Sequence, residues 1–295
     1  MVALVGCGRT RFEELARDAP TPDAPTLEAP SCWPRWFAGT FAFDQPRGLS
    51  ELLPGTLSHA DPSLAGGDLE LFYSRSETPS VIYLATRAAR GMPWQNPTKV
   101  TDLDLMGGSY RVTIARDDRT VVFTSDRNGN LDLYTAPRSG ASFGPVGTAE
   151  VAALQTTDQE KNPELTVDGL GLYFTRQGAS RRELYASRQT LGAPFGAATV
   201  LSELLIPGLA GIGDASISPD GRVIVYVAGN GPFAPYYATR ASASAPFGAG
   251  QPIPGLSSPQ GELDMEVSSD GCEVYFSSTR DRITLTDLYV ATQPL

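Results

Sequence analysis

One histidine, His59, stands in 295 residues, and its solitude excludes much. Zinc sites made of several histidines cannot be built. A Ser-His-Asp triad could draw only on His59. Ser58, His59 and Asp61 are close in "LSHADPS", but triad members normally converge from distant segments. A loop histidine without catalytic duty is the expectation. No apolar run is long enough to span a bilayer. Positive charge is in short supply: Lys and Arg number 23 against 33 Asp and Glu, a formal net charge of −10. That argues against nucleic acid, which requires clustered Lys and Arg. Cysteine is scarce too, with only Cys7, Cys32 and Cys272.

Glycine and proline are plentiful, at 30 and 24, and 41% of residues are hydrophobic. Such a chain has a core and favours many short strands with frequent turns over helices. The length suits one large β domain or two small ones.

The decisive signal is a repeat. "VIYLATR", "DLYTAPR", "ELYASR", "YYATR" and "DLYVAT" align on Tyr83, Tyr134, Tyr185, Tyr237 and Tyr289, with gaps of 51, 51, 52 and 52 residues. Upstream of each tyrosine lies a second β run, such as "VVFTSDR" at 121–127, which follows a turn rich in Gly or Asp. Three of those turns are Asp-Gly, a strong hairpin signal. Asn128-Gly129 predicts a two-residue hairpin turn of the same kind. The nearby Asp126, Asn128, Asn130 and Asp132 do not form a calcium loop, because glycine and glutamate are missing at the sixth and twelfth positions. Further upstream is a short first strand: 61–64, 111–114, 162–165, 214–217 and 264–267. Downstream, Trp94, Phe143, Phe195 and Phe247 are expected to open a fourth strand. Four antiparallel strands repeated near every fifty residues are the mark of a β-propeller blade.

The fifth unit ends at Leu295 before any fourth strand. "FDQPRGLSELLPG" at 43–55 matches "FGAATVLSELLIPG" at 195–208. The expectation is therefore an all-β, five-bladed β-propeller of four-stranded antiparallel blades. It is closed by an N-terminal strand pairing into the last blade, which hides exposed strand edges. Residues 1–35 are read as a signal remnant and flexible Pro-rich tether, and residues 36–295 as the propeller.

These units resemble the TolB-type, WD-like propeller repeat of bacterial envelope proteins. "ISPDG" at 217–221 and "TSDR" at 124–127 are the closest local matches, and the resemblance spans about residues 43–295. Arg111-Val112 departs from the pattern in the second unit, as does "VAGNG" in the fourth. The resemblance implies a non-enzymatic binding or scaffold role with a protein or glycan partner, in the periplasm or at the cell surface.

Leu4-Val5-Gly6-Cys7 resembles a lipoprotein box, with Cys7 as the lipidation site and the only route to a membrane. Only six residues precede Cys7, so the alternatives are a start assigned too far downstream or an accidental match. In an oxidising compartment the remaining Cys32 and Cys272 suggest a disulfide, and the repeat puts them in the same blade. Two free thiols are the alternative.

In a propeller the first strands line the axis, and alternate strand residues share a face. One ring then holds Asp61, Arg111, Asn162, Asp214 and Asp264. The next holds Ser63, Thr113, Glu164, Ser216 and Glu266. Arg111 should form at least one ion pair among these carboxylates. Asp61, Arg111, Glu164, Asp214, Asp264 and Glu266 are the candidate ligand-binding residues. Surplus carboxylates could hold calcium, although no cofactor is required. The alternative is a glycoside hydrolase, since five-bladed propellers include glycosidases that use inner-strand carboxylates. Asp61 would serve as base or nucleophile and Glu164 as general acid.

Overall fold

The computed structural model describes residues 31–53, 55–104 and 107–294. Cys7 and the tether through residue 30 lie outside the described residues. The rest forms five four-stranded antiparallel sheets. The first blade runs His59–Ala65, Glu70–Arg75, Val81–Thr86 and Gln95–Lys99; the second runs Ser109–Ile114, Thr120–Ser125, Asp132–Ser139 and Ser142–Phe143. The third is Gln159–Leu165, Gly171–Gln177, Arg181–Ser187 and Thr199–Val200; the fourth is Gly211–Ile217, Val223–Gly229, Phe233–Thr239 and Gln251–Pro252. Glu262–Val267, Glu273–Ser278 and Asp287–Thr292 make three strands of the fifth blade. Its outer strand, Arg47–Gly48, comes from the other end of the chain and pairs with Val290 and Tyr289. The protein is thus a five-bladed β-propeller closed in the manner the repeat implies.

Closure extends beyond that short strand. Asp44 N donates to Thr292 O at 2.8 Å and Leu49 N to Leu288 O at 2.9 Å. The helix Trp33–Ala38 straddles the expected boundary at 35/36. Trp36 is fully buried, and its Nε1 donates to Gly271 O at 2.8 Å. Cys32 is disulfide-bonded to Cys272.

The core consists of five apolar clusters, one at each junction between neighbouring blades. Each second strand is covered on both faces. Its central aromatic (Tyr73, Phe123, Phe174, Tyr226 or Phe276) is at most 2% exposed. Large aromatic rings in the middle of a twice-covered strand bury the most apolar area per residue, which is why this position repeats as Phe or Tyr.

Four local expectations differ from the structure, the first being His59, which opens the strand His59–Ala65 and is fully buried instead of standing in a loop. Ser125 pairs with Asp132, so Asn128-Gly129 belongs to a six-residue connection, turned by Gly129 N bonding Asp126 O at 2.8 Å. Phe195 and Phe247 lie in the connections before their outer strands rather than opening them. Each is covered instead by the arginine that immediately follows the third strand: Arg188 over Phe195 at 4.6 Å and Arg240 over Phe247 at 4.2 Å. Arg87 covers Trp94 likewise, at 4.4 Å. Finally, the shared Leu-Ser-Glu-Leu-Leu is not strand. Ser50–Leu52 and Ser202–Leu204 are single 3-10 turns that bury Leu52 and Leu204.

Candidate functional site

The inner strands carry the site because each is bulged at the same place. Register shifts occur between Ala60 and Ser63, Tyr110 and Val112, Lys161 and Glu164, Gly213 and Ser216, and Leu263 and Glu266. In four blades the bulge holds a left-handed residue: Asp61 (φ 56°), Asn162 (53°), Asp214 (56°) and Asp264 (56°). Asp and Asn tolerate this conformation best among side-chain-bearing residues, since their short polar groups bond locally. The Asp/Asn of the repeat is therefore first a backbone requirement. A second result is that all four side chains are brought to the axis.

All six candidate ligand-binding residues lie near the axis and are at most 8% exposed. In the upper layer, Asp264 Oδ2 accepts the Asp61 N–H at 3.4 Å, and Asp214 Oδ2 accepts the Asp264 N–H at 3.3 Å. Asn162 Nδ2 donates to Asp214 and, at 3.0 Å, to Asp264. Ser74 caps Asp61 and Ser277 caps Asp264. Arg181 pairs with Asp214.

The lower layer links four of the five neighbouring blade pairs, all but the first and second, by one rule: a ring side chain accepts the N–H that follows the ring position in its neighbour. Thr113 Oγ1 takes Leu165 N at 2.9 Å, Glu164 Oε1 takes Ile217 N at 3.4 Å, Ser216 Oγ takes Val267 N at 3.1 Å, and Glu266 Oε1 takes Leu64 N at 2.9 Å. Arg111 reaches down from the upper layer. Its Nη2 meets Glu266 at 2.8 Å, Glu164 at 3.4 Å and Met265 O at 3.0 Å. These are the ion pairs expected of Arg111.

Burial governs the charge state of this cluster. It raises Asp61 to about 7, helped by the charge of Asp264. It raises Glu164 against the pull of Arg111, and Asp264 with help from Asp214. Glu266 stands well above the ordinary carboxylate range through burial and the neighbouring Glu164. Asp214 goes the other way: burial would raise it, but Arg181 holds it below its ordinary value. Among the described residues, no three His, Cys, Asp or Glu side chains stand where they could hold a metal ion.

Two cavities open at opposite ends of the axis. The smaller, about 200 Å³, touches Asp61, Asn162, Asp214 and Asp264 together with Tyr110, Lys161 and Arg181. The larger, about 620 Å³, lies on the side of the turns between first and second strands. It is walled by Leu64, Ile114, Leu165, Ile217 and Val267, one from each blade, with Glu266, Asp68 and Asp118 as acidic contacts and Arg116 as a basic one. Glu164 lines neither cavity.

Several residues here escape a reading of the rings alone. Arg181 and Glu183 come from a third strand; Glu183 is fully buried and raised well above its ordinary range by burial and then by Asp214. Lys161 could have been found from its place beside Asn162. The apolar collar had a visible signal: an aliphatic residue follows the lower-ring position in all five units.

No protein-family model matches the chain, and no curated protein matches it. Similar solved structures include the GH43_1 enzyme from Xanthomonas citri complexed with xylose, at 13% identity and TM-score 0.60, covering 87% of this chain and 91% of that one. The catalytic domain of Coprinopsis cinerea GH62 alpha-L-arabinofuranosidase matches at 12% identity and TM-score 0.55, covering 86% and 97%. A putative TolB from Agrobacterium tumefaciens matches at 16% identity and TM-score 0.49, covering 79% and 76%. At such identities the likeness is one of fold.

Proposed function

We propose that the protein is a non-enzymatic binding or scaffold propeller of the bacterial cell envelope, which meets its ligand or partner at a channel mouth. One observation carries this reading: both oxygens of Glu164 are committed to the fold. Oε1 accepts from Ser216 Oγ at 3.2 Å and Ile217 N at 3.4 Å, while Oε2 pairs with Arg111. A general acid must reach the leaving group of a bound substrate, and Glu164 borders neither cavity. The Cys32–Cys272 disulfide supports an oxidising compartment such as the periplasm or cell surface.

A hydrolysis panel of mixed glycans and aryl glycosides tests this against the glycosidase alternative with Asp61 and Glu164. The wild type should release no sugar, and Asp61→Asn and Glu164→Gln should alter melting alone. Turnover that Glu164→Gln abolishes at unchanged melting temperature would overturn the proposal.

A further inference from the structure

We infer that the larger axial cavity receives a basic side chain, lysine or arginine, presented by a protein partner, with its aliphatic stem against the collar and its cationic head toward Glu266. This inference rests on the binding reading above and names the chemistry of one mouth. The collar consists of Leu64, Ile114, Leu165, Ile217 and Val267, and the space of about 620 Å³ is ample for such a side chain. Long basic side chains bury their methylenes on apolar walls while the charged end seeks a polar partner. Glu266 provides that partner.

The local charge balance favours a cation. Glu164 and Glu266 share a single guanidinium, that of Arg111, so the lower layer holds one positive charge for two carboxyl groups. Glu266 faces Arg111 of the second blade, Glu164 of the third, and Asp68 and the Leu64 N–H of the first. A carboxylate has about four lone-pair sites, and the two bonds made by Glu266 leave room for an incoming ammonium. The competing feature is Arg116, which also lines the cavity and has no ion pair among the described residues. It would favour an anionic head instead, so the test includes one.

The full chain is titrated calorimetrically with three probes: Nα-acetyl-lysine methylamide, its neutral Nε-acetylated form, and hexanoate. The expected result is heat of binding from the ammonium alone, with affinity that rises with pH as Glu266 ionises. Glu266→Gln should weaken that binding at least tenfold. Ile114→Lys places an ammonium in the collar from the chain itself, so it should remove uptake while melting at or above the wild type. Preference for hexanoate, equal binding of the neutral probe, no binding of the ammonium, or uptake surviving Ile114→Lys would each overturn the inference. Should Glu266→Gln fail to fold, Ile114→Lys decides. None of these outcomes touches the non-enzymatic reading, which the hydrolysis panel decides alone.

Discussion

Acidification should expose a conflict built into the propeller, centred on His59. The imidazole is fully buried between the first and last blades, and neither ring nitrogen makes a well-formed hydrogen bond, the Leu57 backbone offering only a poor one. Asp287 Oδ1 is 4.0 Å from Nδ1, but Asp287 is already held by Arg282. Burial, followed by the charges of Arg75 and Arg282 and partly opposed by Asp287 and the Leu57 backbone, lowers His59 from 6.5 to about 4. The neutral form is thus favoured by folding. The stability it contributes is complete above pH 6.5 and is lost as pH falls toward 4. Each tenfold loss of proton affinity on folding is worth roughly 1.4 kcal/mol, so the full effect is about 3 kcal/mol. The raised carboxylates work in the opposite sense: Asp61, at about 7, is protonated more readily when folded, so its group regains stability as pH falls from 7 to 4. The wild-type curve sums both trends, and a variant is needed to separate them. Urea unfolding of wild type and His59→Leu at pH 7.5, 6, 5 and 4 provides this. The difference between the two should shift in favour of the variant by about 3 kcal/mol from pH 7.5 to 4, most of it between 6.5 and 4. Curves that stay parallel across the range would refute the buried, unpartnered imidazole.

Two further outcomes follow from closure and from the axis. Replacing Cys32 and Cys272 together by serine should destabilise by up to about 5 kcal/mol on a chain-entropy estimate, because the bond closes a very long loop across a sequence separation of 240; a melting temperature indifferent to reductant and to the substitutions contradicts it. Arg111→Met strands Glu164 and Glu266 without their shared counter-charge and should cost about 3–5 kcal/mol. Adding Glu266→Gln to that variant should recover part of the loss, and calorimetry that finds the two changes additive would show that the ion pairs are not coupled.

The repeat was legible because a blade cannot bury its faces alone. The same aromatic wedge must recur at Tyr73, Phe123, Phe174, Tyr226 and Phe276, and in four of the five blades the same left-handed Asp or Asn stands at the bulge. Ring closure was legible from the copy of Leu-Ser-Glu-Leu-Leu. The state of that segment was not, because the pattern reports which leucines are buried and a 3-10 turn buries Leu52 as well as a strand would. Phe195 and Phe247 looked like strand openers; their arginine partners immediately follow the preceding strand, and stacking across a connection has no periodicity to betray it. At the axis, position along the inner strand predicted which side chains meet. What it could not reveal is how they divide the work, since the bond from Glu164 to the next blade depends on the offset between neighbouring sheets. Arg181 and Glu183 were missed because they reach the cluster from a third strand.

The amino-terminal helix is fastened to the last blade at Cys32 before the chain reaches Arg47. A mechanical load applied from the amino-terminal side therefore arrives first at a covalent bond. The two-residue outer strand and its few hydrogen bonds are shielded from being unzipped. Held in this way, the domain can be loaded from that side without its seam opening for as long as the bond is intact.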